Sequence, residues 1–199
     1  LMNKIFQDYS RTASADLLLD KAVQTNCKSE LALLKGVRCI FLTELDPNQK
    51  LKMSMIKNMT GGNEVVACFK YKNEFTYHPK YKIMLATNHM PHINEDDNGS
   101  WRRVKKIDHL RVFSKDEQDK RLINKLYEER GAILNELFRR CPAILRDGLK
   151  APDCVDTSVK NFRSNEDILS KWLEDNTIET TEGTFASVLF ENFRQYCLD

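Results

Sequence analysis

At 199 residues the chain has room for one sizeable domain, or for one domain with a small appendage. Its 41% hydrophobic and 30% charged residues are ordinary for a soluble globular protein, and no run of about 18 apolar residues exists, which excludes a helical membrane span. The net charge of +2 creates no strong global field, so any attraction for nucleic acid has to come from a local patch.

Residues 1–8 read as the end of a helix. They enter an amphipathic pattern without a cap and without signal-peptide architecture, as expected of a segment cut from something longer. Ser14-Ala15-Asp16 predicts the cap of a short helix through Asp20, and residues 29–34 predict another that Gly36 stops. Residues 37–42 are a short continuous apolar run rich in strand formers, the pattern of a buried parallel strand. The run ends at Thr43-Glu44-Leu45-Asp46-Pro47, where the proline prevents extension. Residues 50–59 carry a helical stripe of Leu51, Met55, Ile56 and Met59, closed by Thr60-Gly61-Gly62-Asn63. Residues 65–69 and 74–77 predict a hairpin with a charged tip, Lys70-Tyr71-Lys72-Asn73. Residues 81–87 are a second candidate for a buried strand. Residues 91–100 form a polar loop containing Pro91, Asp96, Asp97 and Gly99, and residues 104–112 alternate in polarity like a strand.

From Asp116 to Phe138 the period becomes helical, with Leu122, Ile123, Leu126, Ile133, Leu134 and Leu137 on the stripe and Gly131 marking a break. Pro142, Gly148 and Pro152 punctuate a linker. Residues 166–174 place Ile168, Leu169, Trp172 and Leu173 on one helical face; residues 184–197 do the same with Phe185, Val188, Leu189, Phe193 and Tyr196. The fold class that follows is α/β, with a helical or winged-helix-like tail.

The six cysteines include no C-x-x-C pair and none at zinc-ligand spacing from a histidine. They read as reduced thiols of an intracellular protein, with Cys39 and Cys68 acting as small hydrophobes in strand-like runs. His78, His89, His92 and His109 do not form a metal-ligand spacing, since Pro91 forbids a helix carrying His89 and His92.

Several residues could carry chemistry. A carboxylate at the end of a buried strand, Glu44, faces the crevice where open α/β sheets bind ligands, and it could orient or deprotonate a water attacking a phosphate. Asp46 ranks lower, because Pro47 places it in a turn. Asn88 follows the second strand and could hydrogen-bond a phosphate or the water without adding charge. Lys70, Tyr71 and Lys72 at the hairpin tip combine phosphate-neutralising cations with a ring that can stack on a base. Arg102 and Arg103 could stabilise charge on transferring phosphoryl oxygens, with Trp101 packed beneath to fix their direction. Each residue alone also fits an ordinary role as a strand end, a turn or a solubilising surface group. Their order and their placement at strand ends are less ordinary.

That order resembles the superfamily 3 helicases, in particular the phage- and poxvirus-type primase–helicases. Cys39-Ile-Phe-Leu-Thr-Glu44 is similar to the Walker B strand, and Ile56-Lys-Asn-Met-Thr-Gly-Gly-Asn63 with Phe69-Lys-Tyr-Lys72 to the hairpin-bearing motif. Lys82-Ile-Met-Leu-Ala-Thr-Asn88-His-Met-Pro91 resembles the sensor strand, and Gly99-Ser-Trp-Arg-Arg-Val104 the arginine-finger segment. The resemblance implies a Walker B acid at Glu44, which would also support Mg²⁺ indirectly, and a sensor at Asn88. It implies a DNA-contacting hairpin at Lys70, Tyr71 and Lys72. The finger that reaches a neighbouring subunit's ATP would be Arg103, with Arg102 the close alternative.

The implied fold is part of an AAA+-like P-loop NTPase core over residues 1–112, with a parallel sheet and a β-hairpin insertion. A helical extension over 113–150 and a linker with a winged-helix-like region over 151–199 would follow. The implied activity is ATP- and Mg²⁺-dependent translocation along single-stranded DNA at a fork, by a homo-oligomeric ring, expected to be a hexamer. A primase domain could lie upstream, and the location would be host cytoplasm or a viral replication site, with no membrane partner. Two features depart from the family pattern. No G-x-x-x-x-G-K-[ST] loop occurs within the 199 residues, and Asn63 stands where family members usually carry an acid. As written, the chain is therefore expected neither to bind ATP tightly nor to unwind DNA. A DNA-binding module without ATPase activity, or a degenerate remnant, are the alternative readings.

Overall fold

The computed structural model describes residues 1–20, 27–94, 97–178 and 183–197; Asp96 and the side chain of Cys27 lie outside the described residues. In chain order the elements are α1 (Met2–Phe6), β1 (Ser10–Thr12), α2 (Cys27–Ala32), β2 (Cys39–Thr43), α3 (Met53–Thr60), β3 (Val65–Cys68), β4 (Glu74–Tyr77) and β5 (Lys82–Ala86). They continue as α4 (Asn98–Trp101), α5 (Leu122–Glu128), α6 (Arg130–Asp147), α7 (Asp153–Glu166), α8 (Ile168–Asn176) and α9 (Ala186–Tyr196). Short 3-10 turns occupy Gln7–Tyr9 and Ala15–Leu18. The second of these is the helix predicted after Ser14, tightened to 3-10 geometry, and the Ser14 side chain caps it by accepting from the Asp16 N–H at 3.2 Å.

The chain divides into two compact units, one of Leu1–Glu95 with His109–Ala151 and one of Asp96–Asp108 with Pro152–Asp199. The first is mixed α/β. Its sheet is all parallel, ordered β1-β2-β5, with Ile40 opposite Ile83 and Leu42 opposite Leu85. Side chains alternate across a strand, so these four share one face and pack with Leu17, Leu34 and Met59 in the core. Phe41 and Met84 lie on the opposite face, where Phe41 is half-buried and Met84 exposed. The expectation of strands buried on both faces is thus corrected. β2 buries one face, and β5, at the edge of the sheet, buries no residue completely. The sequence patterns were apolar enough for burial on both sides; what covers a face is decided by layers, which strand composition does not report.

The predicted hairpin forms from β3 and β4 as a separate two-stranded sheet, with Val65 opposite Tyr77 and Ala67 opposite Phe75. Two strands alone are marginal in water. This pair is stabilised by burying Val65, Ala67 and Tyr77 in the core. The Tyr77 hydroxyl donates to the Leu31 carbonyl of α2 at 2.7 Å, and the Lys28 ammonium of α2 pairs with Glu74 of β4.

Three predicted features are corrected. Residues 104–112 are irregular rather than a strand: through residue 108 their side chains bond to α7, and no strand among the described residues lies alongside to complete a ladder. The helical break falls at Glu129, two residues before Gly131, and Pro142 lies inside α6 instead of starting a linker. Residues 153–165, expected within the linker, belong to helix α7. Pro152 at its N-cap with Asp153 and Asp156 in the first turn, and Val155, Val159 and Phe162 at helical spacing, are the signal that would have found it.

Within the second unit α8 and α9 pack through Trp172. Its ring meets Phe193 edge-on at 5.3 Å, and its Nε1 donates to Asn192 at 2.7 Å. The described residues of this unit contain helices and no strand. No helix among the described residues is long and apolar enough to cross a membrane.

Candidate functional site

Glu44 is the first residue beyond β2, and its N–H donates to the Ala86 carbonyl at the end of β5 at 3.2 Å. The ladder therefore runs one bond past the last strand residues, Thr43 and Ala86, before the two chains leave the sheet. Glu44 adopts a left-handed backbone with φ 58°, uncommon for a residue with a side chain. Leu45 immediately after it is buried, so the chain is held on both sides of the acid while the carboxylate is exposed. Among the described residues that carboxylate makes no hydrogen bond or ion pair.

Asn88 stands two residues beyond β5. Thr87 folds the backbone around it: its hydroxyl accepts from the His89 N–H at 3.2 Å and donates to the His89 carbonyl at 3.0 Å. The result is a bend that presents Asn88 outward, exposed, with no hydrogen bond from its carboxamide among the described residues. The loops after the two residues are stitched together. The His92 N–H donates to the Gln49 carbonyl at 2.8 Å, and the Leu51 N–H donates to the His92 carbonyl at 2.9 Å. Lys52 and Asp20 complete the frame by bonding Leu18 and Lys50. An acid and an amide thus leave the C-terminal ends of adjacent parallel strands, the end at which open α/β sheets hold ligands. Asp46 accepts from the Gln49 side chain at 3.3 Å, a turn role consistent with its lower rank.

The hairpin tip lies in the same unit. Tyr71 is 93% exposed and also left-handed, with φ 63°. Lys70 sits over the Tyr71 ring at 5.0 Å and Lys72 over Phe69 at 5.9 Å. The turn closes through the Lys72 N–H to the Phe69 carbonyl at 2.9 Å, and the Cys68 thiol donates to the Lys72 carbonyl at 2.8 Å. Phe69 stacks on Phe75 at 5.7 Å, joining the tip to the hairpin's body. The tip presents two cations and an exposed aromatic ring to solvent.

Arg102 and Arg103 belong to the second unit. α4 that precedes them is capped by Asp97, whose carboxylate accepts from the Ser100 N–H at 3.0 Å and the Ser100 hydroxyl at 2.7 Å. The ring of Trp101, expected beneath the two arginines, packs against α7. It is buried edge-on against Phe162 of α7 at 5.4 Å, with the Arg163 guanidinium 5.9 Å from its ring centre. Its indole Nε1 is buried without a hydrogen bond among the described residues. Arg103 is half-buried and its Nη1 donates to the Gly99 carbonyl, while Arg102 is exposed.

Among the described residues no three His, Cys, Asp or Glu side chains converge as a metal cluster. Cys39, Cys68, Cys141, Cys154 and Cys197 are free thiols, and burial pushes the Cys39 thiol up, away from the thiolate form. The sequence missed the left-handed geometry of Glu44 and Tyr71, since neither is a residue type that announces positive φ.

A family model described as "Family of unknown function (DUF5906)" matches residues 2–103, which includes every candidate residue named above. The chain is 25% identical to "Putative helicase L207/L206" of Acanthamoeba polyphaga mimivirus over 217 aligned positions, covering 98% of this chain and 23% of that protein. It is 30% identical over 77 positions to "Putative helicase 184R" of Invertebrate iridescent virus 6, covering 37% of this chain and 8% of that protein. The chain thus spans about a quarter or less of the length of these relatives.

Proposed function

We propose that this chain, which belongs to the DUF5906 family of unknown function, supplies the water-activating half of an ATPase that drives a DNA helicase of the superfamily 3, primase–helicase type. The observation that carries the reading is the placement of Glu44 and Asn88 at the C-terminal ends of β2 and β5, joined by the Glu44–Ala86 backbone bond. The helicase names of the two viral relatives support the same reading.

The residues present fit one side of a nucleotide site. Glu44 is a single exposed carboxylate suited to accepting a proton from water and to holding Mg²⁺ through water, and Asn88 is a neutral donor suited to a phosphoryl oxygen. ATP with Mg²⁺ supplies the phosphoryl group and the charge neutralisation; the backbone cradle for its phosphates is not among these residues. In this reading Glu44, held in its left-handed turn, aims its carboxylate at the attacking water and takes its proton. Asn88 orients the water or the terminal phosphate. One arginine of the Arg102-Arg103 pair supplies the cation that one subunit lends to the next, which makes the active form a ring, a hexamer by resemblance. The hairpin tip holds the strand by Lys70 and Lys72 on phosphates and Tyr71 on a base.

The test is strand displacement from a forked DNA by the full-length protein. Wild type is expected to displace the strand only with ATP. Alanine at Lys70 and Lys72 is expected to keep basal ATP turnover and to abolish displacement. It is also expected to reduce the salt dependence of single-strand binding by about 0.7 in log–log slope for each phosphate that is no longer neutralised. DNA binding without ATP turnover in the full-length protein would instead make the chain a binding module and overturn the reading.

A further inference from the structure

The resemblance to the superfamily 3 helicases places Arg103 ahead of Arg102 as the arginine lent to a neighbour. The structure of the second unit reverses the order. We propose that Arg102 is the presented guanidinium and that Arg103 is a positioning residue that holds it out; this rests on the ATPase reading above.

Three observations within the second unit carry it. First, the residues on either side of Arg102 are fixed and Arg102 is not. Trp101 is buried against Phe162 and stacked by Arg163, whose Nη1 also donates to the Asn98 side chain at 3.1 Å. Arg103 turns back over α4 to donate to the Gly99 carbonyl. A guanidinium already engaged with its own backbone must break that bond before it can grip a phosphoryl oxygen, whereas Arg102 is exposed and its guanidinium makes no hydrogen bond or ion pair among the described residues.

Second, the turn that makes the Arg103 bond is tightly specified. A Cβ at Gly99 would meet the Asp97 Oδ1 at 2.6 Å, and that carboxylate is already occupied in capping α4. Small displacements there would move Gly99, and with it Arg103. Third, the chain after the arginines is clamped to the same helix, α7. The Lys105 ammonium pairs with Asp156 at 3.1 Å, the Lys106 ammonium donates to Ser158 at 3.1 Å, and Ser158 donates to Asp108. Anchors at residues 98, 101, 105, 106 and 108 leave Arg102 as the outward member of a segment pinned along one helix.

The two arginines are separated by lysine substitution in the full-length protein, with steady-state ATP turnover as the readout and Glu44→Gln as the control. Arg102→Lys keeps the charge and loses the planar fork. It is expected to lower kcat on the scale of a missing arginine finger, about 10³-fold, with KM for ATP little changed. Arg103→Ala is expected to lower kcat partially without raising KM, and Arg103→Lys, which can still donate to the Gly99 carbonyl, is expected to restore it. That rescue is a result a merely structural loss would not give. Arg103→Lys as damaging as Arg102→Lys, or Arg102→Lys with wild-type kcat, overturns the assignment. Wild-type turnover in Glu44→Gln would instead overturn the ATPase reading on which it rests.

Discussion

Removing one hydroxyl from each of two tyrosines four residues apart is expected to shift stability in opposite directions. Tyr77 ends β4, and its buried hydroxyl donates to the Leu31 carbonyl at 2.7 Å. That carbonyl also accepts from the Leu34 N–H at 3.0 Å, so Tyr77→Phe leaves it bonded and costs about 1 kcal/mol, the net worth of one hydrogen bond. Tyr81 lies just before β5 and is also buried; its hydroxyl interacts with the Tyr77 hydroxyl but makes no hydrogen bond of good geometry among the described residues. Burial also pushes its phenol well above the ordinary range, so the group stays neutral at any working pH. A buried hydroxyl without a well-formed hydrogen bond costs about 1–3 kcal/mol, so Tyr81→Phe is expected to stabilise the first unit by about 1 kcal/mol, at the low end of that range. The two variants should differ by about 2 kcal/mol, or about 1 M in urea midpoint for a slope near 2 kcal/mol/M. Both tryptophans, Trp101 and Trp172, lie in the second unit, so the first is best followed by amide hydrogen exchange in β3, β4 and β2. Loss of protection in Tyr81→Phe comparable to that in Tyr77→Phe would show that the Tyr81 hydroxyl is stabilising.

Two further outcomes follow from single side chains. Asp167 caps α8 by accepting from the Ser170 hydroxyl at 2.6 Å and the Ser170 N–H at 2.9 Å, and these bonds hold its carboxyl below the usual carboxylate range. The stabilisation is therefore complete above the unfolded carboxyl pKa and is lost as pH falls through the depressed folded value. Asp167→Ala should cost about 1 kcal/mol at pH 7, read from tryptophan emission during unfolding, with the difference from wild type shrinking at strongly acid pH. Asn88→Ala in the full-length protein should lower ATP turnover about 10²-fold, as expected for removal of one oriented polar donor, without disturbing the fold, because its side chain is exposed. Unchanged turnover would assign Asn88 a turn role only.

The central part of the fold was legible because strand runs and their terminators are local. The apolar run ending at Glu44, the hairpin around Lys70-Tyr71-Lys72 and the run ending near Asn88 all appear within two residues of where their patterns place them. What the sequence could not convey is three-dimensional company. β5 reads as buried but sits at an edge, and Trp101 reads as a support for arginines but is the anchor of α4 on α7, 61 residues along the chain at Phe162. Residues 104–112 alternate like a strand, yet alternation specifies a strand only where a neighbour offers a ladder. Proline misled as well: α6 continues through Pro142 despite the backbone hydrogen bond that proline removes. The candidate site was legible as residue types at strand ends. The left-handed turn at Glu44, the Thr87 bend and the Gln49–His92 stitch that frame it depend on contacts no local pattern encodes.

The most direct test of the account is nucleotide binding and turnover in the full-length protein carrying Glu44→Gln, an isosteric change at an exposed position. ATP is expected to bind with near wild-type affinity while turnover falls by about 10²-fold or more, the contribution of a positioned general base. Turnover at the wild-type rate, or a loss of binding that accounts for the whole effect, would contradict it.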